Sequence, residues 1–211
     1  MCPNLLGDTR LYAMLLKCDG DLAAGTRAAG CRCGGVLHSA RYGRKPRGAT
    51  VALPEGYDRR ASFCCAEEGC RQRTTPPSLR FLGRKVYLGA VVTLVTAMKH
   101  GVSDRRAAEL RRAVGASRQT LARWRSWWAE VFPSTPFWQA ARALISPPVS
   151  LEEMPASLLD RFAGADEVER VVRFLDFIKP MTTGSAGTGS VNRCSADVRR
   201  RSGVPDRGEV P

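Results

Sequence analysis

The sequence predicts an α+β chain from three observations. Five cysteines fall in two clusters within the first third, CRCGG and SFCCAEEGC. One apolar run, VYLGAVVTLVTAM, lies in the middle, and two basic, serine-capped segments follow it. Short strands around the thiols and packed helices after them are the architecture these features specify.

Residues 4–17 mix leucines with Arg10 and Lys17 in a short amphipathic stretch, and DGDLAAGTRAAG after it reads as a loop. The loop leads to Cys31 and Cys33, and a polar, basic insertion separates them from Cys64, Cys65 and Cys70. Two thiol knuckles of this kind build a tetrahedral zinc site, in which the metal replaces a core that so short a segment cannot assemble. Gly34 and Gly35 suit a knuckle, because residues without Cβ let backbone amides turn toward a bound sulfur. Cys31, Cys33, Cys65 and Cys70 are the preferred ligands of Zn2+. Cys64 is an alternative to Cys65, and Cys18 or His38 an alternative to one member of the first pair. The spacing departs from the common two-residue interval of zinc ribbons. Disulfides would need an oxidising compartment, and MCPNLLGDTR carries no secretion signal, so the chain is placed in the cytoplasm of a bacterium. Cys2 and Cys194 lie in weakly patterned ends without a nearby partner.

From Cys31 to about Arg80 the composition suits short strands and turns. Within it RYGRKPRG, from Arg41 to Gly48, is a basic loop in which Pro46 and the flanking glycines disfavour regular structure. RQRTTPP adds charge before Pro76 and Pro77 make a linker. The run from Val86 to Met98 is too short for a bilayer, which needs about 20 apolar residues. It predicts a buried helix closed by Gly101. Ser103 then caps a helix from Asp104 to about Val114 whose inner face is Ala107, Ala108 and Leu110, with Arg105, Arg106, Arg111 and Arg112 outward. Gly115 turns the chain, and Ser117 caps a third helix with Leu121, Trp124 and Trp128 at helical spacing. Pro133 closes that helix. Shorter helices are expected over 137–144, 155–162 and 166–178, the last two in an acidic stretch that either packs back on the basic part or binds a partner. After Pro180 the sequence is glycine-rich and polar, as a disordered tail is. The division is a zinc-ribbon-like module with basic loops (1–80), a three-helix helix-turn-helix domain (81–146), an acidic helical extension (147–178) and the tail (179–211).

Net charge is +13, and arginine far outnumbers lysine. Guanidinium forks grip phosphate oxygens and guanine edges, so the composition points to nucleic acid. In the helix-turn-helix reading Arg118, Gln119, Arg123 and Arg125 reach base edges in duplex DNA, while Ser117, Thr120 and the arginines of the preceding helix contact phosphates. Arg41, Arg44, Lys45 and Arg47 are the basic-loop candidates. Trp124, Trp127, Trp128 and Trp138 are core residues in this reading. The rival is a zinc adaptor binding RNA or protein without reading DNA sequence.

CRCGGVLHSARYGRKPRG, SFCCAEEGCRQRTTPPSLRFLGRKVYLGAVV and GASRQTLARWRSWW together resemble small transposase-related proteins of bacterial insertion sequences, over about residues 15–145. The resemblance implies recognition of mobile-element DNA, with the knuckle cysteines as metal ligands and the helix from Ser117 to Trp128 as reader. One departure is Arg111, where many such units have alanine four residues before the turn glycine. A strand-transfer domain needs three carboxylates gathered by alternating strands. The carboxylates here crowd into 152–176 without such strands, so the expectation is a non-enzymatic DNA-binding protein, either an accessory factor or a catalytically incomplete relative, with a transposase or another protein as a partner for the acidic helices.

Overall fold

A computed structural model describes residues 2–82, 87–97 and 103–183 of the chain. Helices α1 (Cys2–Leu6) and α2 (Thr9–Ala29) open it, with Asp8 capping α2 by accepting the Arg10 N–H at 2.8 Å. The expected loop at 19–30 is therefore helix as far as Ala29, a correction. Gly20 and Gly25 lie on its open side with nothing near them, and buried Asp19 fixes the helix from within. Its carboxylate accepts from Ser78 Oγ (2.5 Å), the Leu79 N–H (2.6 Å) and Arg80 Nε (2.7 Å). Arg80 in turn donates to the Tyr57 and Arg59 carbonyls and stacks over the Tyr57 and Phe81 rings.

Short strands follow: β1 (Leu37–Ser39), β2 (Tyr42–Gly43), β3 (Arg59–Arg60), β4 (Phe63–Cys65) and β5 (Arg73–Thr74). Antiparallel pairing gives a three-stranded sheet ordered β1-β4-β5 and a separate β2-β3 pair. The start of the basic loop is thus strand, not irregular, because Tyr42 and Gly43 find partners in Arg60 and Arg59. The distant β3 segment satisfies their backbone groups despite the local glycines.

Helix α3 (Gly89–Thr96) is buried on every side, as its apolar composition requires. The ends expected at Val86, Met98 and Gly101 lie outside the described residues. Helix α4 (Asp104–Val114) begins at Ser103, whose Oγ accepts the Arg106 N–H, and ends at Gly115 with φ 70°. Helix α5 (Arg118–Ser126) is capped by Ser117 through the Thr120 N–H and runs on into a π-helical turn, Trp127–Val131. Leu121, Trp124 and Trp128 are buried, and α5 packs on α3. Trp138 is also buried and Trp127 half-buried. On α4 the inner face is Val114 with half-buried Ala107 and Leu110. Ala108 is exposed, a correction. Arg111 is also exposed, so the departure at that position sits in solvent.

Helices α6 (Pro136–Ala141), α7 (Ala156–Leu159) and α8 (Glu167–Ile178) follow within the described residues, with 3-10 turns at Phe132–Ser134, Arg142–Leu144 and Lys179–Thr182. The last turn corrects the expectation of disorder from residue 179, since Thr182 is buried and accepts the Ser78 N–H at 2.9 Å. Residues 184–211 of the expected tail lie outside the described residues. Helix α8 packs back on α2 and α3 through Val168, Val171, Phe174 and Leu175. One apolar core draws on both ends: Leu11, Tyr12 and Leu15 of α2 share it with α3, Leu121, Trp128 and α8. A second, smaller cluster of Cys31, Leu37, Phe63 and Cys65 lies under the thiols. Among the described residues, no helix is long and apolar enough to cross a membrane.

Candidate functional site

The two knuckles meet where β4 lies beside β1. The Gly34 N–H donates to the Cys31 carbonyl at 2.8 Å and the Cys31 N–H to the Gly35 carbonyl at 3.0 Å, which closes the first turn. The second is closed by the Cys70 and Arg71 amides, both donating to the Glu67 carbonyl. Pairing of Leu37 with Cys65 brings the turns together. The Sγ atoms of Cys31, Cys33, Cys65 and Cys70 all lie within 4.8 Å of one another.

These distances identify the kind of site. Cys33 and Cys65 are 3.5 Å apart at sulfur, and Cys31 and Cys70 are 3.7 Å apart. A disulfide holds its sulfurs at about 2.05 Å, and these four thiols are unbridged. A tetrahedral ion with metal–sulfur bonds of about 2.3 Å places its sulfurs about 3.8 Å apart. The four cysteines can therefore hold a metal ion.

Backbone amides reinforce the donor set. The N–H two residues further on hydrogen-bonds the sulfur of Cys33 (from Gly35), of Cys65 (from Glu67) and of Cys70 (from Gln72). Such bonds favour the thiolate. The Gly35 amide, with help from the neighbouring thiols, draws the Cys33 thiol down to about 7. Burial pushes Cys65 up to about 12, so a bound cation is what would keep that sulfur ionised. Gly35 is required by space: a Cβ there would stand 2.8 Å from Cys65 Sγ and 2.6 Å from Glu67 Cγ.

The alternative ligands stay outside the cluster. Cys64 occupies the opposite face of β4 from Cys65, because successive strand residues point to opposite sides, and its sulfur is disulfide-bonded, which corrects the expectation of a chain without disulfides. His38 is exposed on β1 opposite Cys64, and Cys18 is half-buried on α2.

The basic-loop residues divide. Arg44 lies over the Phe81 ring at 5.0 Å and is half-buried. Arg41, Lys45 and Arg47 are exposed. Arg41 lines a groove of about 780 Å³ with Arg27, Arg59, Ala23 and Phe63, between α2 and the small sheet.

On α5, Arg118, Gln119 and Arg123 are exposed, while Thr120 and Arg125 are half-buried. Thr120 shares a 3.0 Å hydroxyl contact with Ser117, and Arg123 reaches Thr120 Oγ1 at 3.5 Å. Arg118 forms an ion pair with Asp104 at the start of α4. Sequence reasoning missed the contacts that hold these parts together. Asp19 and Arg80 tie α2 to the loops around the sheet. Tyr87 donates its hydroxyl to the Gly115 carbonyl at 2.8 Å and sets its ring against Trp124. A phenol at the polar end of an otherwise apolar run was the only hint of the second. No protein-family model matches this chain, and no curated protein or solved structure shows significant similarity to it.

Proposed function

We propose that the chain is a zinc-stabilised, sequence-specific DNA-binding protein, acting without catalysis, in which α4, the Gly115 turn and α5 form a helix-turn-helix. The observation that carries the reading is the division of α5. Leu121 and Trp124 are buried against α3, while Arg118, Gln119 and Arg123 stand in solvent on a serine-capped helix that follows a left-handed glycine turn. That arrangement leaves a guanine-reading and an adenine-reading side chain at the exposed start of a helix.

Zinc suits the four-sulfur set, which has no oxygen or nitrogen donor and is already near tetrahedral spacing. Bound there, it would supply cross-linking of the two knuckles. All four positions are taken by protein, the pattern of a structural site. The carboxylates of α8 pair along its surface, Glu169 with Arg173, Glu167 with Arg170 and Asp176 with Lys179. This supports a role outside catalysis. Action on mobile-element DNA, beside a transposase or another protein that contacts the acidic helices, is the part of the proposal that rests on the sequence resemblance.

The test is selection of duplexes from a randomised pool by the zinc-loaded chain, followed by anisotropy titrations across salt concentrations. Enrichment of one motif, with a log-log salt slope near 0.9 per neutralised phosphate, is the expected result. Tighter binding to structured RNA than to any selected duplex would transfer the reading to the adaptor alternative.

A further inference from the structure

We infer that the loop carrying Lys45 and Arg47 and the exposed start of α5 form one continuous face for duplex DNA, held in register by Tyr87. The inference rests on the DNA-binding reading above and adds the residue that joins its two parts. Tyr87 touches both. Its backbone bridges Arg47 in parallel, with the Leu88 N–H donating to the Arg47 carbonyl at 3.1 Å. Its side chain crosses to the other module, where the hydroxyl donates to Gly115 and the ring packs at 4.9 Å on Trp124.

Gly48 makes the approach possible. Its φ of +94° is a backbone state that a Cβ disfavours, and a Cβ there would stand 2.9 Å from Val91 Cγ1 and 3.3 Å from Tyr87 Cδ1. The loop therefore closes directly onto α3 and Tyr87. One strand spacing, one tyrosine side chain and the 2.8 Å hydrogen bond put Arg47 within roughly 15 Å of the Gly115 carbonyl. That carbonyl lies two residues before the Ser117 cap.

The major groove is about 12 Å wide and bordered by phosphates. A helix start seated in it leaves the bordering phosphates within reach of a guanidinium anchored at that distance. Lys45 and Arg47 are exposed and have no carboxylate partner among the described residues. They are free to take phosphate, while the start of α5 takes base edges.

The experiment measures affinity and salt slope for the zinc-loaded full chain on a duplex recovered by selection and on a scrambled duplex. The proteins are wild type, Arg47→Ala, Tyr87→Phe and the double variant. Arg47→Ala is expected to lower the slope by about 0.9 and to weaken both duplexes equally, as loss of one phosphate contact does. Tyr87→Phe keeps the ring and removes only the bond to Gly115. It is expected to weaken binding about fivefold and to lower the slope, and the double variant should be no worse than Arg47→Ala alone.

An unchanged slope in Arg47→Ala, with wild-type binding intact, overturns this inference and leaves the DNA reading standing. Additive effects of the two substitutions overturn the role of Tyr87. Should Tyr87→Phe lower the melting temperature, the slope of Arg47→Ala still decides whether the loop meets phosphate. Failure of the wild type to bind any duplex overturns the function itself.

Discussion

Replacing Gly35 with alanine puts a methyl group inside the thiol cluster. Its carbon would lie 2.8 Å from Cys65 Sγ and 3.4 Å from Cys33 Sγ. Ordinary contact begins at about 3.5 Å, so the Cys65 sulfur must retreat by about 0.7 Å. Cys65 is fully buried against Leu37 and Phe63, and it has nowhere to move. Metal–ligand distances tolerate only about 0.2 Å of error, so the site would bind its ion with three good sulfurs and one displaced. We expect Gly35→Ala to weaken zinc binding about 100-fold, equivalent to about 2.7 kcal/mol. Competition against a chromophoric chelator at fixed pH measures this directly. Gly69→Ala is the control beside Cys70, since a Cβ at that position meets nothing within 4 Å. A Gly35→Ala protein whose affinity stayed within threefold of wild type would refute the reasoning that these four sulfurs enclose the metal.

Further outcomes concern the buried ion pair, the metal and the start of α5. Asp19→Ala leaves the Arg80 guanidinium, with a side chain 4% exposed, without its counter-ion, and urea unfolding should show a loss of about 3 to 5 kcal/mol. Pairing Asp19→Leu with Arg80→Met should recover most of that loss, because no charge is then left buried and unpaired. Metal affinity should rise with pH through the neutral range and fall on acidification. Cys65, pushed up to about 12 by burial, must release its proton to bind, and an affinity flat from pH 6 to 8, values spanning about two units around neutrality, would count against thiolate ligation. Arg118→Ala should relax discrimination at one base pair by about 1 to 3 kcal/mol. Asp104→Asn, which frees Arg118 from its ion pair, should tighten binding, and both are read by selection profiles against the wild type.

The cysteine cluster and the helices from α4 onward are legible in the sequence because their signals are local. Cys31, Cys33, Cys65 and Cys70 announce themselves by chemistry, and Ser103, Gly115 and Ser117 mark helix ends by position. The second half of α2 was not legible. Asp19, Gly20 and Gly25 look like a loop to any window of neighbours, and what makes them helix is an aspartate pairing with Arg80, 61 residues away. The same holds for β2, whose Tyr42 needs Arg60 as a partner. The choice between Cys64 and Cys65 was open in one dimension and closes in three, once strand alternation sends one sulfur inward and the other across the sheet. Ala108 was placed inward by its apolar nature alone, but α4 touches the core only through one edge, and an alanine exposes too little surface to be driven under.

The hydrogen bond from the Ser78 backbone to Thr182 spans 104 residues. During synthesis the middle of the chain emerges long before the residue that completes it. Until α8 and the turn behind it arrive, the faces of α2 and α3 that it covers stay open to solvent and to other chains. Completion of the core thus waits until α8 has been synthesised. A chain cut before α8 would retain Cys31, Cys33, Cys65 and Cys70 and both helices of the proposed DNA-reading unit, yet lack the lid under which they are assembled.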